Sequence, residues 1–211
     1  MMSRCLVVML LLMGGAPHVL GADLRGSTGA VSIRIHDYSG FDARQLQQAQ
    51  AQTSDTYARI GVRLDWRETV RPAEVQAGRG EWPTDTQATL TIVVLSTLMA
   101  ERLEVPRHIA GYAPLTRDRG GRIAFVVGPR TQEIARQGSV EPPVVLAGVI
   151  SHEVAHLLMP HRSHSDDGLM RAKWTPAEFR HVRRRRFTVD EAAAILQTVR
   201  SMVDEHTRVA D

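Results

Sequence analysis

Alternating apolar and polar side chains form the first regular pattern after the N-terminal thirty residues. The segment VSIRIHDYS, beginning at Val31, has the two-residue period of a half-buried strand. A helix is then predicted from Asp42, an N-cap residue type, to about Ile60, because its apolar positions fall on one face and Gly61 can stop it. The pattern therefore begins as strand followed by helix.

Further strands are predicted at VRLDW, residues 62–66, and at the strongly apolar ATLTIVVLS, residues 88–96. Between them, the glycines and prolines of residues 72–83 indicate a loop. A short helix is expected at residues 97–104, because Pro106 follows it.

Two strands at residues 111–113 and 122–127 are predicted next, joined by the turn-like sequence of residues 117–121. A long apolar helix begins at Pro143, a residue type suited to a first turn. Two more helices are predicted from Thr175, in a capping-box pattern, and from Thr188. The expected fold class is α/β, a mixed sheet on which the long apolar helix packs, followed by C-terminal helices.

The first 22 residues have the pattern of a cleavable signal peptide. Arg4 precedes an apolar run, and small residues follow near residue 21, whereas the run is short for a membrane span. We therefore expect one domain at residues 23–211, secreted or periplasmic and without stable membrane insertion. The single cysteine, Cys5, lies in the signal, so the mature domain would lack thiols and would hold a metal only through histidine and carboxylate.

Charge changes this interpretation little. The formal net charge is +3, and the basic run at residues 181–186 has few aromatic side chains nearby on which bases could stack. Such a run is typical of a solvated helix face. We expect no nucleic-acid partner.

The helix PPVVLAGVISHEVAHLLMP contains the candidate chemistry. Nearly every position from residue 144 to 159 is apolar, except Ser151, His152, Glu153 and His156. A helix that is apolar on most sides is buried, and burying imidazoles and a carboxylate without partners is costly. A bound metal would remove that cost.

The spacing of HEVAH suits one ion. His152 and His156 are four residues apart, about 40° around the helix axis, so that both imidazoles can reach the same zinc. Glu153 is rotated by about 100° from His152, which suits a general base acting on a water rather than a ligand. The HExxH motif thus predicts a catalytic zinc site, which takes three protein ligands.

Several residues after Pro160 could supply the third ligand. His164 lies far enough beyond the helix to return to the metal, whereas His161 would need a sharp reversal. Carboxylates are the other candidates: Asp166, Asp167 and Glu178.

The segment HEVAHLLMPHRSHSDDGLM resembles the metzincin clan of zinc peptidases, whose pattern is HExxHxxGxxH followed by a Met-containing turn. It departs from that pattern, because Met159 stands at the glycine position and Arg162 at the third histidine position. Aligning its His-Ser with that of matrixin-like members lengthens the turn by two residues. The resemblance then implies His164 as third ligand and Met170 as the Met-turn residue, a hydrophobic floor and not a ligand.

The tail SHSDDGLMRAKW is also similar to uncharacterised secreted bacterial proteins with SHSxxGIMRxxW after HExxH. We expect Trp174 within it to cap the core near the site. In the metzincin clan the substrate lies extended along an edge strand, which the resemblance places at residues 122–127 or 111–113.

The function predicted is that of a secreted zinc-dependent endopeptidase, a metallopeptidase that binds Zn²⁺ and hydrolyses peptide or protein substrates with Glu153 as general base. Two alternatives remain. One is a zinc hydrolase of non-protein amides, and the other is an inactive metal-binding or interaction protein. Retention of Glu153 argues against the second, since a structural metal site needs no base.

Overall fold

The computed structural model describes residues 29–67, 89–114, 121–159 and 164–210, with side chains to residue 204. Outside the described residues lie the predicted signal peptide, the loop at 72–83 and most of the turn at 117–121. The candidate ligand His161, and Arg162 at the third-histidine position of the metzincin pattern, also lie outside them.

The N-terminal half alternates strands and helices as the sequence predicts. Its elements are β1 (Ala30–Asp37), α1 (Ala43–Ala58), β2 (Arg63–Arg67), β3 (Thr89–Leu95) and α2 (Thr97–Arg102). Asp42 caps α1 in a complete capping box, its carboxylate accepting from the Gln45 N–H at 2.7 Å. Gly61 follows the helix with a φ of +78°, a conformation that glycine adopts without strain.

The C-terminal half is mainly helical. Its elements are β4 (Gly111–Tyr112), β5 (Ile123–Val127), α3 (Gly128–Gly138), α4 (Pro142–Leu158), a 3-10 helix (Pro176–Arg184) and α5 (Val189–Ala210). The helix α3 has no counterpart in the sequence prediction, because only a few of its positions are apolar and the pattern there is weak. The segment after Thr175 keeps its predicted capping box but is a 3-10 helix, with bonds such as Glu178 N–H to Thr175 O that span three residues.

One five-stranded sheet has the order β2-β1-β3-β5-β4. The first four strands in that order are parallel, and β4 pairs antiparallel with β5 at one end. Helices pack against this mostly parallel sheet, so the predicted α/β fold class is confirmed. The antiparallel edge strand β4 ends the sheet beside α4.

The helix α4 is buried along most of its length, as its apolar pattern predicts. It packs against α1, where the Tyr57 hydroxyl donates to the Ser151 carbonyl oxygen at 2.8 Å. This bond falls one residue before His152, so the core contact between the two helices also supports the metal motif. Among the described residues, no helix combines the length and apolar character needed to cross a membrane.

Candidate metal centre

Three imidazoles converge at the C-terminal end of α4. The Nε2 atom of His156 lies 3.1 Å from that of His152 and 3.2 Å from that of His164, and the remaining Nε2 pair is also 3.2 Å apart. The two histidines of α4 come from successive turns of the helix, and His164 comes from the loop beyond it. The structure therefore brings together the three residues that the sequence named as metal ligands.

A hydrogen bond to the backbone determines which ring nitrogen of His152 is available to bind a metal. Its Nδ1 lies 2.9 Å from the Leu169 carbonyl oxygen, which can only accept, so Nδ1 carries the proton and Nε2 presents a lone pair. Burial lowers the pKa of His152, and burial together with the neighbouring His152 and His164 lowers the pKa of His156 to about 4. Both imidazoles are therefore held in the neutral form that coordinates metals.

The spacing of the nitrogens fits a tetrahedral ion. Bonds of about 2.0–2.1 Å at tetrahedral angles separate neighbouring ligand nitrogens by roughly 3.3 Å. The three observed separations of 3.1, 3.2 and 3.2 Å come close to this value. One ion could therefore bond all three nitrogens, so the residues present fit a bound metal.

Glu153 is buried beside the triad, with 5% of its surface exposed. Its Oε2 atom has no hydrogen-bond partner among the described residues. Burial raises the pKa of the Glu153 carboxyl to about 8. Burial also raises the pKa of Tyr57, and the negative charge of Glu153 raises it further. A dication in the triad would oppose the shift of Glu153 by favouring the carboxylate.

Two backbone hydrogen bonds hold the segment that follows His164. The Ser165 N–H donates to the Met170 carbonyl oxygen at 3.1 Å, and the Leu169 N–H donates to the Arg186 carbonyl oxygen at 2.9 Å. Met170 is buried, as expected of a Met-turn residue; its role as a floor beneath the metal stays a prediction.

Arg185 ties this loop to the 3-10 helix. Its guanidinium donates to Asp167 at 2.9 Å and to Glu178 at 3.4 Å, and it lies 5.5 Å from the centre of the Trp174 ring. Arg185, a residue of the predicted basic run, thus joins Asp167 of this loop to Glu178 of the 3-10 helix. Trp174 packs on Phe179 at 5.0 Å between ring centres, in agreement with the expected capping of the core.

The carboxylate candidates for the third ligand are not part of the cluster. Glu178 is bound by Arg171, Arg185 and Thr175, and the Thr175 N–H lowers its pKa. Asp167 is 88% exposed and paired with Arg185, and Asp166 is exposed.

A cleft of about 890 Å³ lies over the triad. One wall is formed by residues 108–113, which include β4, and the other by residues 171–174. Of the two predicted edge strands, the one at 111–113 forms the end of the sheet, whereas the one at 122–127 is covered by its neighbours β3 and β4.

Sequence reasoning missed the close contact between this edge and Glu153. A Cβ atom at Gly111 would lie 2.8 Å from Glu153 Oε1, 2.9 Å from Glu153 Cγ and 2.7 Å from a methyl group of Val149. Only a glycine lets the edge strand approach α4 so closely. No sequence pattern indicated this contact, because Gly111 and Glu153 are 42 positions apart.

Replacing Gly111 by alanine should therefore displace the Glu153 carboxyl. We expect any activity that depends on Glu153 to fall by roughly tenfold or more, since misplacement by about 1 Å can cost about a hundredfold, with metal content unchanged. The measurement is kcat/KM beside metal stoichiometry, with Ala51→Ser at an exposed position of α1 as the control. Unchanged activity of Gly111→Ala would show that Glu153 moves freely.

No protein-family model and no curated protein matches the chain. Solved structures similar to it include archaemetzincin from Methanopyrus kandleri, at 14% identity over 83% of this chain and 98% of that one, with a TM-score of 0.49. A zinc-dependent peptidase from Methanocorpusculum labreanum is 12% identical over 77% of this chain and 99% of that one, with a TM-score of 0.47. Metalloproteinase-II from Bacteroides fragilis is 11% identical over 82% of this chain and 55% of that one, also at 0.47.

Proposed function

We propose that this protein is a zinc-dependent endopeptidase. The observation that supports this most directly is the triangle of imidazole nitrogens beside the buried Glu153 carboxyl, at the floor of an open cleft. We propose in addition that the protein is exported; this is supported by the sequence of residues 1–22 alone.

Zinc is the metal that this ligand set favours. Three neutral imidazoles without a thiolate or a carboxylate are typical of catalytic zinc, which keeps a fourth position open. In such a site zinc supplies a Lewis acid and a water of lowered pKa. His164 is exposed, which leaves the cleft side of the site accessible to solvent and substrate.

Glu153 would move the proton. Its Oε2 atom has no partner among the described residues, so it is free to accept a proton from the attacking water and pass it to the leaving amine. With zinc bound, the dication would favour the carboxylate, which is the form that accepts the proton.

The backbone of β4 would bind the substrate. The strand pairs with β5 on one side, and no described strand pairs with its other side. An extended peptide could therefore add to this edge through main-chain hydrogen bonds, with its scissile bond over the triad. A cleft open at the surface suits an internal peptide bond better than a closed pocket would.

Metal dependence tests the proposal. The purified mature protein is expected to contain one zinc ion and to cleave casein or members of a peptide library. Chelation should abolish cleavage, and added Zn²⁺ should restore it. Stoichiometric zinc with cleavage of small amides alone would favour the non-protein amide hydrolase, and zinc without any hydrolysis would favour an inactive metal-binding protein.

A further inference from the structure

Arg130 makes an unusual set of bonds close to the cleft. It lies on the first turn of α3, and its guanidinium donates to three backbone carbonyl oxygens of one loop. Its NH1 atom lies 2.6 Å from Pro106 O and 2.5 Å from Ile109 O, and its NH2 atom lies 2.8 Å from Val105 O. No carboxylate among the described residues pairs with Arg130, so its positive charge interacts with the dipoles of these three carbonyl groups.

The loop held by Arg130 leads directly into the edge strand. Residues 105–109 connect α2 to β4, and His108 and Ile109 line the cleft. The carbonyl oxygen of Ala110 accepts from the Val127 N–H at 2.8 Å, and β4 follows at once. Because α3 begins where β5 ends, Arg130 joins the loop to the same strand that pairs with β4.

The edge strand needs such support, because only two of its residues pair with β5. A pair of this length has little stability of its own. At its C-terminal end the strand continues through Ala113 and Pro114 and then out of the described residues. At its N-terminal end the preceding loop is held by the three Arg130 bonds and by the bond between Val127 and Ala110. Bonds from a charged donor are stronger than neutral ones, and one planar guanidinium can direct several of them at once.

We infer that Arg130 is a positioning residue that holds β4 in the extended conformation required to receive a peptide substrate. The inference rests on the proposed peptidase function for the identity of the substrate. The anchoring itself concerns only the backbone at residues 105–112. A loose edge would have to be ordered on binding, so loss of the anchor weakens substrate binding more than it slows the chemical step.

Amide hydrogen exchange tests the anchor without any need for activity. In Arg130→Ala, amides at residues 105–112 are expected to exchange roughly tenfold faster or more, since each charged hydrogen bond lost favours local opening. Amides of α4 should keep their protection. Arg130→Lys keeps the positive charge but not the planar guanidinium, so its exchange rates should fall between those of the wild type and of Arg130→Ala. Arg136→Ala is the matched control, since Arg136 lies on the same helix and, among the residues that the structure describes, its side chain pairs only with exposed Glu133.

Kinetics of the zinc-loaded enzyme then test the role in binding. For Arg130→Ala we expect KM to rise roughly tenfold with kcat within about twofold and zinc content unchanged. Unchanged exchange at residues 105–112, or protection lost equally throughout the protein, would overturn the inference, and so would a fall in kcat with KM unchanged. Faster local exchange in a protein that cleaves no peptide would support the anchor and refute the peptidase function.

Discussion

Replacing Glu153 by alanine is expected to lower kcat/KM for peptide cleavage by about 10²- to 10⁴-fold, the usual contribution of a positioned acid-base group. The carboxyl is buried beside the triad, and its free Oε2 atom is the proton acceptor that the proposed reaction uses. Zinc stoichiometry should be unchanged, because Glu153 is not one of the three clustered histidines. Peptide cleavage and metal content, measured on the same preparation, check both expectations.

Two further variants give this result its meaning. Glu153→Gln keeps the shape of the side chain and should lose as much activity as alanine, since an amide cannot accept the proton. It should fold at least as stably in the metal-free protein, because it removes a carboxyl that burial disfavours. Glu141→Ala, at the exposed start of the same helix, should leave activity unchanged. Cleavage by Glu153→Gln at more than a tenth of the wild-type rate would exclude this residue as the base.

The sequence predicted α4 well because the helix follows from a local pattern. The helix is almost wholly apolar yet contains two histidines and a glutamate. Because burying polar groups without partners is costly, these three residues indicated the candidate metal site. The strands β1 and β3 were predicted for a similar reason, since their apolar positions follow the period of a strand.

Other features depended on contacts between distant parts of the chain. The approach of Gly111 to Glu153 and the Arg130 bonds to residues 105–109 join elements that no local pattern connects. The helix α3 was missed because its polar composition hides the one face that it buries. A two-residue strand such as β4 is defined by the neighbour with which it pairs, so the choice between two candidate edges required the sheet order.

The position of His164 could be predicted only in part. Spacing favoured His164 over His161 as the candidate third ligand, since a chain leaving α4 needs several residues to return. The described residues after His164 are held by the Ser165–Met170 bond and by the bond from Arg185 to Asp167. The number of residues between α4 and His164 could be read from the sequence, but the Arg185 bond could not, because Arg185 seemed to be part of a solvated basic run.

Replacing His164 by alanine is expected to reduce zinc affinity by more than roughly 100-fold, because it would remove one of the three proposed ligands. The loss of a residue that only hydrogen-bonds to a ligand already costs up to about 100-fold. The side chain is exposed, so the metal-free protein should fold as the wild type does. Competition with a chromogenic zinc chelator measures the affinity, and circular dichroism checks the fold. Hydrolysis at limiting zinc should fall in proportion to the metal bound.

His161→Ala is the decisive control, since His161 is the nearby histidine that the spacing disfavours. If His164 is the third ligand, His161→Ala retains wild-type zinc affinity and the double variant binds no more weakly than His164→Ala alone. A large loss of zinc affinity in His161→Ala with little loss in His164→Ala would make His161 the third ligand in place of His164. The 3.2 Å separations between the His164 Nε2 atom and those of the two helix histidines predict the first pattern, because an ion bound to both helix nitrogens would also lie within bonding distance of this third nitrogen.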